Sequence, residues 1–501
     1  MTMPGRRIAA RLFVTAWLVY GLHLTSNVVR ETYLAVALGD SLAVRVDPFL
    51  GLHPDIFAIE GRGAYINSNP GASMLGAVPY ALSRPFTGLL FRLKPELIRP
   101  KPPAVYHDPR PNRTRLMNAM RERGLDVKLA LAAFAVQLGL MAPLGALATV
   151  VLYLALRERL GDERRARWLA LLYAFGTPML FRSAFLNQNA LIAHFLLFAC
   201  LLLGRPGAAE DDGGARKRWL VAGLLLGLSV LCDYSGAVLA LAFGWWALAE
   251  GWARERAGGA ARRVAWFALG AIGPVLVLLA YQWAAFGSPW LPAQAYMPAT
   301  PYSGLGWHGV SLPAPSLLLG NLFDPRYGLF VFCPMLIAGL AAPLVPEGPG
   351  VLPRRELGVI YVACAALWLF SSANQYAFLQ WNTGVRYMVP AVPLLFLALI
   401  PVLLKLPAWL RWLLIVPSVV ISLAVTMTRE DVPTALQRIA LNGPELPMLT
   451  VLLRTAEAYA PWLTGGWVLA LALAAYGVLA LLLWLVWRGA YRPAAEAEPT
   501  A

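Results

Sequence analysis

The sequence predicts an all-α polytopic membrane protein of about twelve transmembrane helices, with a large first extracytoplasmic loop that holds short amphipathic helices. Three observations lead there. Of 501 residues, 59% are hydrophobic and 14% charged. A water-soluble fold cannot hide that much apolar surface, so lipid must be its solvent. Apolar runs close to the ~20 residues needed to cross a bilayer recur along the chain. Between them every second short loop is rich in arginine, the pattern of segments kept in the cytoplasm.

The runs fall at roughly 10 to 28, 129 to 156, 168 to 183, 189 to 204, 219 to 232, 236 to 250, 264 to 286, 328 to 345, 357 to 372, 387 to 404, 412 to 427 and 467 to 487. The first is too long for a signal peptide and lacks a small-residue cleavage site soon after it, so it reads as an anchor. Arg6, Arg7 and Arg11 precede it. The later basic loops are Arg157 to Arg167, Arg205 to Arg218, Arg254 to Arg263, Arg354 with Arg355, Lys405 with Arg411, and Arg488 with Arg492. Both termini are therefore expected in the cytoplasm. One membrane domain, 1–501, carries a first extracytoplasmic loop at 29–128, a second long one at 287–327, a late one at 428–465 and a cytoplasmic tail at 489–501.

The net charge of +15 follows largely from this arginine bias, so membrane lipids are expected partners and nucleic acid is not. The stretch Ala72 to Phe91 is apolar enough to span, yet it contains Pro79, Arg84 and Pro85. Counting it would also reverse every later loop, so it reads as an interfacial or re-entrant helix at the outer surface. Cys200, Cys232, Cys333 and Cys364 lie in or beside spans at no metal-like spacing and read as small packing residues.

On this topology the outer side collects the unusual polar residues. The first loop carries Glu31, Asp40, Asp47, Asp55 and Glu60, then a Gly61 to Ser73 segment with Tyr65, Asn67, Asn69 and Pro70. Later outer turns hold Arg182 with Asn187, Gln188 and Asn189, then Asp233 with Tyr234, then His308, Arg326, Trp381 and Arg386. Arginines at span ends also snorkel to headgroups, and interfacial Trp and Tyr also serve as belt anchors. A first-loop carboxylate is the natural general base for a reaction at this face: Glu31 stands one turn beyond the first span, Asp55 before the Gly/Pro turn, and Asp47 between them. Arg386, Arg326 and Arg182 are the candidates to grip a lipid phosphate at the headgroup plane, which guanidinium does bidentately. Tyr65, Asn67, Asn69, Asp233, Tyr234, His308 and Trp381 are the substrate-binding candidates.

Several motifs recur in a characteristic order. They are Gly-x-x-x-Tyr-x-x-x-x-Pro-Gly at Gly61 to Gly71 after a first-loop acid, Phe-Gly-Thr-Pro at Phe175 to Pro178, and Asp-Tyr at Asp233 and Tyr234. Phe-Gly-Ser-Pro at Phe286 to Pro289, Pro-Arg-x-Gly-Leu-Phe at Pro325 to Phe330 and Trp-x-x-Gly-x-Arg-Tyr at Trp381 to Tyr387 complete the series. In these the chain resembles the bacterial C-type polytopic membrane glycosyltransferases, the superfamily of protein O-mannosyltransferases and lipid A aminoarabinose transferases.

The resemblance implies a bacterial inner-membrane enzyme with its active site at the outer face. The donor is a polyprenyl-phosphate-linked sugar and the acceptor a lipid, glycan or protein. Many relatives have Lys in the Tyr-to-Gly turn; here Ile66, Asn67, Ser68 and Asn69 stand there, so phosphate binding shifts to arginines elsewhere. The chemistry requires no cofactor and is compatible with a divalent metal. A lipid-linked saccharide transporter or flippase would place charge near span centres or show paired repeats, and neither is visible. A catalytically inactive scaffold of the same fold differs only in what mutating the acids does.

Overall fold

The computed structural model describes residues 3–25, 28–108, 111–204, 212–346, 352–382 and 384–488. The expected tail at 489–501 and the start of the basic loop at Arg205 lie outside the described residues. The chain is a predominantly helical, multi-pass membrane protein. Among the described residues five helices are long and apolar enough to cross a membrane: Asp126–Leu160, Ser235–Phe286, Arg354–Ala373, Ala408–Thr428 and Gly465–Trp487. Shorter apolar helices are Gln188–Leu203, Pro334–Leu344 and Ala391–Lys405.

Helix α1 (Met3–Leu22) holds the first apolar run, and α2 (Arg30–Ser41) begins the first long loop with Arg30 and Glu31 in its opening turn. A short antiparallel hairpin follows, β1 (Ile56–Ile59) and β2 (Gly63–Ile66), pairing Ile56 with Ile66 and Phe57 with Tyr65. Its turn needs glycine, because Gly61 and Gly63 sit at φ 70° and 104°, where a Cβ is strained. The Tyr65 to Gly71 segment is thus half strand and half return into α3 (Gly71–Leu93). Gly71 is forced by proximity: a Cβ there would stand 2.6 Å from the carbonyl carbon of Leu231. Helix α3 packs on α2 and exposes Val78, Leu82, Phe86, Leu89 and Leu93.

Proline decides where other spans break. The expected run at 168 to 183 is helix Glu163–Gly176, an extended Thr177 (φ −121°, ψ 166°) and a short turn Met179–Arg182. Pro178 disfavours helical geometry at the residue before it, and that kink turns Arg182 inward. Likewise 328 to 345 divides into Leu329–Phe332 and a 3-10 stretch Pro334–Leu344.

The 52-residue helix Ser235–Phe286 contains Arg256 at φ 61°, ψ −147°, where it folds back on itself. Gly251 lies against Ala260, whose Cα would stand 2.5 Å from a Cβ at Gly251, and Arg263 reaches Glu250 at 3.1 Å. It therefore holds two of the expected spans, 236 to 250 and 264 to 286. Helix Asp212–Cys232 packs into this hairpin through small residues, as membrane helices do. A Cβ at Gly223 would fall 1.9 Å from the Phe267 carbonyl, and one at Gly227 2.6 Å from that of Ala271.

Two short helices form the centre: Gln188–Leu203 and Ala391–Lys405 are buried along almost their whole lengths. An all-round apolar helix belongs in such a place. In contrast Gly465–Trp487 buries only Ala472 fully and exposes Trp467, Leu473, Val478, Leu481 and Trp484.

Candidate active site

The first-loop acids do not stand as separate solvated charges. Arg30 donates Nε–H to Glu31 Oε1 (2.8 Å) and Nη1–H both to Asp55 Oδ2 (2.8 Å) and to Asn67 Oδ1 (2.9 Å). Asn67 closes the ring by donating Nδ2–H to Asp55 Oδ1 (3.0 Å). The hairpin makes this possible, because Asp55 precedes β1, Asn67 follows β2, and the Asn67 N–H bonds the Asp55 carbonyl at 3.0 Å. One guanidinium thereby fixes two carboxylates that lie 24 residues apart.

Access separates the two acids. The Glu31 side chain is 6% exposed and that of Asp55 31%, so Asp55 presents its carboxylate to the outside while Glu31 anchors Arg30 from behind. Burial alone would raise the Asp55 pKa, but the positive charge of Arg30 first, with that of Arg386, more than reverses it and holds the carboxyl below its ordinary range. Arg30 in turn loses from burial and gains more from Glu31 and Asp55, which raise its pKa.

His53 has a defined state. The Asp55 backbone N–H donates to its Nδ1 at 3.0 Å, so the ring keeps its proton on Nε2 and stays neutral. Burial lowers its pKa, against the pull of Asp55. The 3.8 Å approach of Nδ1 to Asp55 Oδ2 is therefore contact with a neutral ring, not an ion pair.

Arg386 arrives from the far side of the sequence. It is half-buried, its guanidinium lies 5.4 Å from the Tyr387 ring centre, and its charge reaches both Asp55 and His53. Among the described residues its side chain has no ion-pair or hydrogen-bond partner, so its charge is available to an incoming anion. Arg182 is fully buried and donates Nη2–H to the Gly384 carbonyl at 2.8 Å, steadying the segment that carries Arg386.

The remaining candidates line neighbouring walls. Asp233 accepts from Gln188 Nε2 (2.9 Å) and from the Ser235 N–H (2.9 Å), and the Tyr234 hydroxyl accepts from Gln282. Asn69 donates to the Val230 carbonyl at 2.9 Å, tying the hairpin's return to the end of helix Asp212–Cys232. Tyr65 packs edge-on to Phe286 with ring centres 5.4 Å apart, and Gln294 donates to the Asn67 carbonyl at 2.9 Å. The second long loop is thus fastened to the first.

Other residues are engaged elsewhere. Asp47 accepts from the Ala64 N–H at 2.7 Å and pairs with Arg45 at 2.8 Å, which braces the hairpin. Arg326 is 59% exposed and holds both oxygens of Asp324. His308 takes φ 50° and sits beside Trp307. The Trp381 side chain lies outside the described residues.

Arg30 and His53 are the members that sequence reasoning missed. Arg30 adjoins Glu31, but consecutive helix residues do not face one another, and nothing local says that an arginine at a helix start turns to meet an acid beyond it. Among the described residues no group of three or more His, Cys, Asp or Glu side chains is arranged to hold a metal ion.

Residues 132–281 match a family model described as dolichyl-phosphate-mannose-protein mannosyltransferase. The matched stretch includes the Phe175 to Pro178 and Asp233-Tyr234 motifs and not the first-loop cluster. Two crystal structures of ArnT from Cupriavidus metallidurans are similar to 96% of this chain at 15% identity. The one bound to undecaprenyl phosphate gives a TM-score of 0.48 over 75% of that chain. The apo form gives 0.49 over 76%. Among curated proteins none matches the sequence. The family match bears out the resemblance to C-type membrane glycosyltransferases drawn from the motifs.

Proposed function

We propose that this protein is an integral membrane glycosyltransferase that moves a sugar from a polyprenyl-phosphate donor to an acceptor at the outer membrane face. Asp55 takes the proton of the acceptor hydroxyl as that oxygen attacks the anomeric carbon. The bond from that carbon to the phosphate oxygen breaks, and polyprenyl phosphate leaves with the bonding electrons. Arg386 stabilises the departing phosphate, the position where added positive charge speeds such a step most. Glu31 holds Arg30, and Arg30 holds Asp55 ionised and aimed.

The observation that carries the reading is the Arg30 clamp on two carboxylates, with a guanidinium lacking an acid partner close beside it. A general base and an anion-stabilising charge side by side are the two groups this reaction needs. The test is transfer from a polyprenyl-phosphate sugar in proteoliposomes at matched protein loading. Asp55→Asn should lose ~10² to 10⁴ of rate, while Asp47→Asn, removing only a brace on the hairpin, should keep most of it. Equal turnover in both would remove Asp55 from the chemistry, and a wild type inert with every such donor would leave the scaffold reading.

A further inference from the structure

The chain carries a second cluster of arginine and tryptophan far from the first loop. The helix that starts beside Asp233 and Tyr234 runs to its fold-back at Arg256, about 22 residues or roughly 33 Å away at the usual helical rise. That is about one hydrocarbon core, so this end of the hairpin lies at the opposite membrane face.

There Arg216, Arg254, Arg262 and Arg263, with Trp219, Trp266 and Glu255, line a cavity of about 90 Å³. One water needs only ~10–15 Å³ of such space, so a tetrahedral phosphate with companion waters fits. Arg263 is 5% exposed and is pinned by Glu250 (3.1 Å) and Glu255 (3.2 Å). Arg216 lies over the Trp266 ring at 4.3 Å and among the described residues pairs with no carboxylate. Trp245 and Trp252, 63% and 53% exposed on the same hairpin, mark the depth at which tryptophan meets headgroups.

We infer that this cavity binds the phosphate of an anionic lipid on the face opposite the proposed active site. Arg216 is oriented by Trp266, and Arg263 by its two glutamates, so two of the donors are already ordered before a ligand arrives. Arginine in a fixed plane is suited to phosphate oxygens, and basic pockets between membrane helices hold such headgroups. The inference is independent of whether the outer site catalyses transfer.

The experiment is native mass spectrometry of the full chain in detergent, titrated with phosphatidylglycerol, phosphatidylcholine or inorganic phosphate. Wild type should retain phosphatidylglycerol over phosphatidylcholine, and Arg216→Gln should weaken that retention about fivefold, the effect of one arginine near a headgroup. Trp266→Leu, which removes the platform under Arg216 and leaves every arginine in place, should weaken it in the same direction. Competition by millimolar inorganic phosphate would assign the pocket to free phosphate instead of lipid. Equal retention of both lipids, or no loss in either variant while gel filtration shows them folded, would overturn the inference and leave the arginines as closures of the hairpin.

Discussion

Replacing Arg30 tests the site most sharply, because its guanidinium joins Glu31, Asp55 and Asn67 in contacts of 2.8 to 2.9 Å. Arg30→Gln keeps amide donors and removes the charge. An opposite charge at this distance lowers a carboxyl pKa by ~1–3 units, or about 1.4–4 kcal/mol, and a single hydrogen bond to a charged group contributes about 1.5–3 kcal/mol. The two ranges agree. Because 31% of the Asp55 side chain is exposed, water screens part of the effect and the lower half of the energy range applies.

The sign follows from the direction of the shift. Asp55 is held below its ordinary value of 3.8, so its ion pair contributes fully above that value and is lost as pH falls through the lowered one. The acid limb of kcat/KM in wild type should therefore lie below the ordinary aspartate range, and Arg30→Gln should move it up toward that range. The plateau should also fall ~10-fold or more from the lost aim. Arg30→Lys, a point charge without the fork, should keep the limb low while losing rate. The assay is transfer across pH 3 to 8 in proteoliposomes. An Arg30→Gln profile that superimposes on wild type would refute the clamp.

Three further outcomes are expected. Arg386→Ala should weaken binding of undecaprenyl phosphate by roughly tenfold to a hundredfold, the loss of one charge-assisted bond, whereas Arg326→Ala, already neutralised by Asp324, should change it little; native mass spectrometry reads both. Burial holds His53 neutral, below its ordinary 6.5, so the native state binds fewer protons than the unfolded one just under that pH and stability falls on acidification. Melting temperature should therefore drop less between pH 7 and 5 in His53→Gln than in wild type. Reporter fusions at Arg164, Arg256 and Arg355 should read cytoplasm and those at His107 and Tyr302 the exterior; a cytoplasmic signal at His107 would move the proposed site off the outer face.

Much of the architecture was legible because the bilayer imposes it. Apolar run length and arginine alternation follow from the cost of burying charge and bare backbone in lipid, and both are linear in the sequence. The glycines of the Gly61 to Gly71 turn were equally local, since φ restrictions belong to single residues, whereas the break at Pro178 divides a stretch, 168 to 183, that the sequence presents as one apolar run. Glu31, Asp55 and Asn67 were recognisable as polar groups in one long loop, and Arg386 as a charge just before an apolar run.

What the sequence by itself determined was therefore that the chain is a helical, multi-pass membrane protein, which residues are polar at the ends of its apolar runs, and where the glycines of the first loop turn the chain. Only the tertiary structure decided that Arg30 faces both Glu31 and Asp55, that Asp47 and Arg326 are occupied elsewhere, and that Arg386 approaches a carboxylate more than 300 residues before it in the chain. The physical reason is that charge pairing depends on distance and burial in three dimensions. A one-dimensional string sets neither until the hairpin and the spans have closed around them.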